Sequence, residues 1–402
     1  TAGADNRQFH GLMANPAVTA NHRLVAFDLP FHGKSLPPDG AVPGSWRLNT
    51  ELYVAIIMGF VAAMKLGGID NLFFVSGSES AFLQEACAKA AVLGTPAPKL
   101  VTMIHETVAL NAALGASMVT NKPTATSAHV DVGTLHYGAA IHAAWRGNYP
   151  VLMTGGCGPR AFPGSMRGAR EGSIQWLQEP RDQGEIVRQY TKVDHRLEHQ
   201  DNPGLMVSRL LQIALSEPKG PVYLTMPRET AMLPLPGTIR FPTVQQLGVA
   251  RPVSPDLDDA RTIARWLVKS ENPVLFTDRV ARDPEATTEL LRLAELLAIP
   301  VSESSNSDRM NFPSTHPLYG TGPQAKEADV VLVFGVIDRG SAIDAEAAVV
   351  LLGDLGHGFI TVSIVSSSCS FEIGQPRSSR STFTWSAIGV DVSSVEMNSG
   401  DA

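Results

Sequence analysis

The sequence predicts an α/β fold: two doubly wound, mostly parallel sheets in succession, preceded by a shorter α/β fragment. Three observations carry this. Apolar runs of strand length alternate with stretches of helical periodicity. A proline-rich stretch with little periodicity, 236–256, separates two such series. The 402 residues, 44% hydrophobic and 18% charged, suffice for several domains at about 100–200 residues each, every one able to bury a core.

The elements follow in order. Residues 24–29 (LVAFDL) read as a buried strand ended by Pro30, and a Pro/Gly-rich loop leads on. Residues 51–66 read as a helix, with Leu52, Ile56, Phe60 and Ala63 at helical spacing and Gly67-Gly68 closing it. Strands are then expected at 72–75, 100–104, 124–129, 151–154 and 221–226. Helices are expected at 80–93, 106–118 and 135–146. After the linker, helices 258–269 and 285–297 alternate with strands 274–277, 300–302 and 330–334. The tail, 366–402, is serine-rich without periodicity and reads as poorly ordered. The organisation predicted is a fragment at 1–66, a first domain at 67–235, a linker at 236–256, an incomplete second domain at 257–365, and the tail.

Composition narrows the function. A net charge of −7 argues against a nucleic-acid binder, which needs a basic face. Cys87, Cys157 and Cys369 are odd in number and widely spaced, the pattern of neither a disulfide framework nor a zinc site. The longest apolar run, 52–64, falls well short of the roughly 20 residues that span a bilayer. A cytoplasmic protein is the expectation, although a chain opening on Thr1 says little about an N-terminal signal.

Residues 1–66 contain TAGADNRQ at 1–8 and Phe27-Asp28-Leu29-Pro30-Phe31-His32-Gly33-Lys34-Ser35 after a strand. This resembles the front of an α/β-hydrolase. That chemistry needs a serine on a strained G-x-S-x-G elbow, and no such pentapeptide occurs in the chain. Hydrolysis is therefore disfavoured.

From Gly67 a second resemblance takes over. Val101 to Ala109 (VTMIHETVA) sets a glutamate, Glu106, after an apolar stretch and before a helix of small residues. His129 to His136 (HVDVGTLH) carries a glycine turn, and GPVYLTMPRE spans Gly220 to Glu229. Together with Asp182-Gln183, Thr191-Lys192, Ile299-Pro300-Val301 and Phe312-Pro313, these stretches are similar in order and spacing to thiamine-diphosphate-dependent enzymes of the acetolactate synthase and benzoylformate decarboxylase group. The resemblance implies pyrimidine-binding and central domains, and decarboxylation or carboligation of 2-keto acids. It also implies a homo-oligomer, a dimer or a tetramer.

The resemblance gives Glu106 the role of hydrogen-bonding the cofactor's aminopyrimidine, which helps the thiazolium lose its C2 proton. A carboxyl shares a proton with such a ring only when burial lifts its affinity for protons. The plainer reading is a carboxylate favoured by a helix N-terminus. Gly133 lets backbone approach the ring closely. His136 stands where the family has asparagine, either as a proton-transfer residue or as a structural one. The Gly77-Ser78-Glu79-Ser80 loop is either a substrate or pyrimidine contact or a helix-capping box.

The family's diphosphate and Mg²⁺ are held by a G-D-G motif and a later asparagine, on a third domain. Gly353-Asp354-Leu355 is the one echo of that motif here, and the expectation is a chain incomplete on its own. A non-catalytic partner or pseudoenzyme is the alternative. No G-x-G-x-x-G follows a strand, so the FAD that some members carry is left undecided. Two further clusters read as surface features: His195, Glu198 and His199 on one charged helical face, and Arg160, Arg167 and Arg170 in a glycine-rich loop.

Overall fold

The computed structural model describes residues 50–233, 238–242, 244–249, 257–303, 309–320, 327–335, 348–352 and 364–365, with isolated positions near the N-terminus. The strand expected at 24–29, the hydrolase-like motifs, Asp354, Cys369 and the serine-rich tail lie outside them.

The first sheet is wholly parallel. Its strands are β1 (Asn71–Phe74), β2 (Lys99–Thr102), β3 (Thr124–Ala128), β4 (Val151–Cys157), β5 (Asp194–Arg196) and β6 (Val222–Pro227), in the order β2-β1-β3-β4-β6-β5. Its longer helices are α1 (Thr50–Leu66), α2 (Ala81–Leu93), α3 (Glu106–Thr120), α4 (Val130–Leu135), α5 (Gly138–Arg146) and α6 (Pro203–Leu215).

Strand alternation builds two cores. Leu72 and Phe74 of β1, Leu152 of β4 and Val222, Leu224 and Met226 of β6 face α1, α2 and α6. The intervening Phe73, Val151, Met153 and Tyr223 face α3 and α5. Near-continuous burial of β3, β4 and β6 is what a parallel strand covered on both faces requires. Chemistry at the helix ends fixes their starts. Asn202 caps α6 by accepting from the Leu205 amide, and Pro203 fills the first helical position.

The second sheet holds β7 (Pro273–Asp278), β8 (Val301–Glu303), β9 (Val330–Gly335), β10 (Ala348–Leu352) and β11 (Ile364–Val365), in the order β11-β10-β9-β7-β8. All pairs are parallel except β10–β11. Helices α7 (Leu257–Lys269) and α8 (Pro284–Leu297) cover it, with Ile263, Leu267, Leu290 and Phe312 in its core. Arg279, in the left-handed region at φ 57°, donates to Asn148 Oδ1 at 2.6 Å and so ties this sheet's edge to the first domain.

Three differences from the sequence reading have physical causes. Helix α1, grouped with the N-terminal fragment, packs into the first domain: Ile57, Phe60, Val61 and Met64 are fully buried against α2 and α6. Each such side chain contributes roughly 1.5–3 kcal/mol by burial, so no break in packing falls at Gly67. The helix expected over 135–146 begins at Gly138, at φ 39°, and a separate short helix, Val130–Leu135, precedes it. His195 lies on strand β5 and pairs with Asp201 at 2.8 Å, so His195, Glu198 and His199 share no helical face.

Candidate functional site

In a parallel sheet the carboxyl ends of the strands open on one edge, where loops present side chains to a ligand. Here the loops after β1, β2, β3 and β4 converge. They bring Gly77–Glu79, His105–Glu106, His129 and the start of α4 to one place.

Glu106 is the first residue of α3 and is 5% exposed. His105, extended at φ −158°, caps the helix through its ring: Nδ1 accepts from the Thr107 amide at 3.2 Å. The carboxylate has two neighbours. Oε2 lies 3.0 Å from Nδ1 of His136, at the end of α4, and Oε1 lies against Gly133. A Cβ on Gly133 would stand 2.6 Å from Oε1 and 3.2 Å from the Ala128 Cβ. The glycine thus makes room for the carboxylate itself. The Thr107 hydroxyl donates to the His136 carbonyl, pinning the end of α4 to the first turn of α3. The rings of His105 and His136 stack at 4.5 Å between centroids.

A second cluster surrounds Glu79, which is 1% exposed. Its Oε2 lies 2.7 Å from His129 Nε2 and accepts from the Ser78 hydroxyl, and its Oε1 accepts from Gln175 at 3.0 Å. Burial pushes the Glu79 carboxyl upward, but the hydrogen bonds from His129, Ser78 and Gln175 outweigh it and hold the group at about 2. Ser78 itself stays exposed. Gly77 has its reason in His129, because a Cβ there would lie 2.0 Å from the imidazole ring. The capping-box reading is not realised: Ser80 at the start of α2 makes no side-chain cap. Val130, next to His129, is held at φ 47°, a strained value for a β-branched residue.

Beneath α4 a buried polar network sets the floor. Gln183 Nε2 reaches Tyr223 Oη and the Gly156 carbonyl, each at 2.9 Å, and Thr134 Oγ1 lies 2.8 Å from Tyr223 Oη. Burial pushes the Tyr223 hydroxyl up to about 12, so it remains a hydrogen-bond donor.

The sequence singled out Glu106, Gly133, His136, Gly77 and Ser78; the structure gathers Glu106, Gly133 and His136 at one point and Gly77 and Ser78 around His129. Glu79 was named only as part of the Gly77–Ser80 loop, and His129, Gln175 and Tyr223 were given no individual role. The His129–Glu79 pair is separated by 50 residues and forms only because β1 and β3 are neighbours. Arg170 is a strut: it is buried, stacks 3.6 Å over Trp176 and pairs with Glu179.

A family model described as the N-terminal TPP binding domain of thiamine pyrophosphate enzymes matches residues 58–186, and the central-domain model of the same enzymes matches 260–346. The chain belongs to the thiamine-diphosphate-dependent enzyme family. Among curated relatives, a probable acetolactate synthase of Mycobacterium bovis is 27% identical over 277 residues, covering 68% of this chain and 47% of the relative. Benzoylformate decarboxylase of Pseudomonas aeruginosa is 24% identical over 54% of this chain and 39% of its own length. The chain thus spans less than half the length of these relatives. A solved benzoylformate decarboxylase from Polynucleobacter necessarius shares the fold at a TM-score of 0.61 and 20% identity, over 78% of this chain and 59% of that one.

The residues on this edge fit one part of thiamine diphosphate. An aminopyrimidine needs a water-poor carboxylate for a ring nitrogen, and Glu106, 5% exposed, has the burial such a contact requires. They do not fit its Mg²⁺-diphosphate end. Among the described residues, the cluster of metal-ligating size on this edge is His105, Glu106 and His136, and imidazoles are poor ligands for Mg²⁺. No helix among the described residues is long and apolar enough to cross a membrane.

Proposed function

We propose that this chain carries the aminopyrimidine side of a thiamine-diphosphate site in an enzyme that decarboxylates or carboligates 2-keto acids, as acetolactate synthase does. The observation that supports the reading is the buried carboxylate of Glu106, seated on Gly133 at the carboxyl edge of a parallel sheet.

When bound, thiamine diphosphate supplies a thiazolium carbon that adds to a 2-keto carbonyl and takes up the electrons released with carbon dioxide. The chain's residues do the rest. Glu106 shares a proton with the pyrimidine nitrogen through one carboxylate oxygen and is the catalytic residue. Gly133 keeps that oxygen in place, and His136 orients the other. Ser78 and His129, hydrogen-bonded to the buried Glu79, lie beside the substrate and contact its carboxylate or carbonyl oxygen. Ile104, Val108, Val132 and Leu135 leave apolar surface exposed around Glu106, which favours a homo-oligomeric contact there.

The test is consumption of pyruvate or benzoylformate with thiamine diphosphate and Mg²⁺ present, read as released carbon dioxide. Turnover that falls about 10²–10⁴-fold in Glu106→Gln supports the reading. Tight cofactor binding with neither acid consumed contradicts it and favours a non-catalytic partner.

A further inference from the structure

Two imidazoles flank Glu106, and the proposed chemistry uses neither as a ligand. One ligand atom each from His105, Glu106 and His136 lies within 4.8 Å of the other two. We propose that these three residues form a binding site for a divalent transition metal of the zinc class, at the open mouth above Glu106.

The donor set selects the ion. Two neutral imidazoles and one carboxylate suit Zn²⁺, Co²⁺ or Ni²⁺ and discriminate against Mg²⁺ and Ca²⁺, which take oxygen ligands. Geometry agrees. Ligand atoms on a tetrahedral zinc with bonds near 2.0 Å stand about 3.3 Å apart, and Glu106 Oε2 and His136 Nδ1 are already at 3.0 Å. His105 closes the remaining gap by turning its ring. Both imidazoles are exposed, so the packing that rotation displaces is the stack of the two rings on each other.

The backbone beneath is fixed where ligands need it fixed. Glu106 opens α3, His105 precedes it, and the Thr107 hydroxyl holds the His136 carbonyl. In the single chain, exposure leaves a fourth position for water, as in zinc sites with three protein ligands. Two interactions are given up: the cap, in which His105 Nδ1 accepts from the Thr107 amide, and the stack of the His105 ring on His136.

Metal binding stands independently of the proposed function. A consequence of both together is mutual exclusion, since the ion takes the carboxylate that the aminopyrimidine needs.

The experiment titrates the purified full chain with Zn²⁺ by calorimetry in excess Mg²⁺, and with Co²⁺ followed by visible absorption. The expected result is one tight equivalent with the intense bands of tetrahedral cobalt. His105→Ala, His136→Ala and His136→Asn each weaken binding at least about tenfold, and His142→Ala, at an exposed histidine on α5, leaves it unchanged. Circular dichroism checks that each variant is folded. No binding, or binding that His105 and His136 substitutions leave intact, overturns the site. Zn²⁺ binding as expected with no competition from thiamine diphosphate keeps the metal site and removes the functional reading instead.

Discussion

Nδ1 of His136 stands 3.0 Å from Oε2 of Glu106, 30 residues away in the chain. The contact exists because α3 begins directly after β2 while α4 begins directly after β3, and both strands flank β1. It gives the buried carboxylate one protein partner and leaves its other oxygen against the Gly133 backbone.

That crowding makes Gly133→Ala the sharpest steric probe. The added methyl meets Oε1 at 2.6 Å and the Ala128 methyl at 3.2 Å, so the carboxylate or α4 must move. Overpacking of this kind costs about 1–3 kcal/mol. A lowered thermal midpoint and weakened cofactor binding are expected together. Unchanged values of both, by calorimetry, would show the carboxylate to be free to move.

Tyr223 links the floor of the site to the sheet through Gln183 and Thr134. Tyr223→Phe keeps the ring in its fully buried position and removes the hydroxyl those two groups use. Gln183 keeps the Gly156 carbonyl and Thr134 the Val130 carbonyl, so the loss is that of net hydrogen bonds at about 0.5–1.5 kcal/mol each. Urea unfolding should show a lower midpoint at an unchanged slope.

Glu79 predicts an acid limb of stability. Its carboxyl is held at about 2 against an ordinary 4.5, so its folded form binds fewer protons than the unfolded chain. The stabilisation is complete above pH 4.5 and drains away as pH falls through that window toward 2. Glu79→Gln should flatten stability against pH across this range, measured by denaturant midpoints. A limb equally steep in the variant would assign the acid sensitivity elsewhere.

The sequence carried the parts of this arrangement that are local. Alternation of short apolar runs with helical periodicity placed β1, β3, β4 and β6 within a few residues, and a glutamate between a strand and a small-residue helix marked Glu106. Contacts made by topology were out of reach. The Glu79–His129 pair depends on the neighbouring of β1 and β3, which composition does not encode. Strand β5 is three polar residues at the sheet edge, too short and too hydrophilic for an alternation signal, and its His195 mimicked helical spacing with Glu198 and His199. Helix α1 was legible as a helix, but its allegiance to the first domain rests on packing against α2 and α6.

Glu106, as the contact for the cofactor's pyrimidine, is the residue on which the proposed function depends. Calorimetric titration of the chain and of Glu106→Gln with thiamine diphosphate and Mg²⁺ tests this directly. The expected result is saturable binding by the native chain that weakens strongly in the variant, with the fold unchanged by circular dichroism. Equal affinity in both proteins would contradict it.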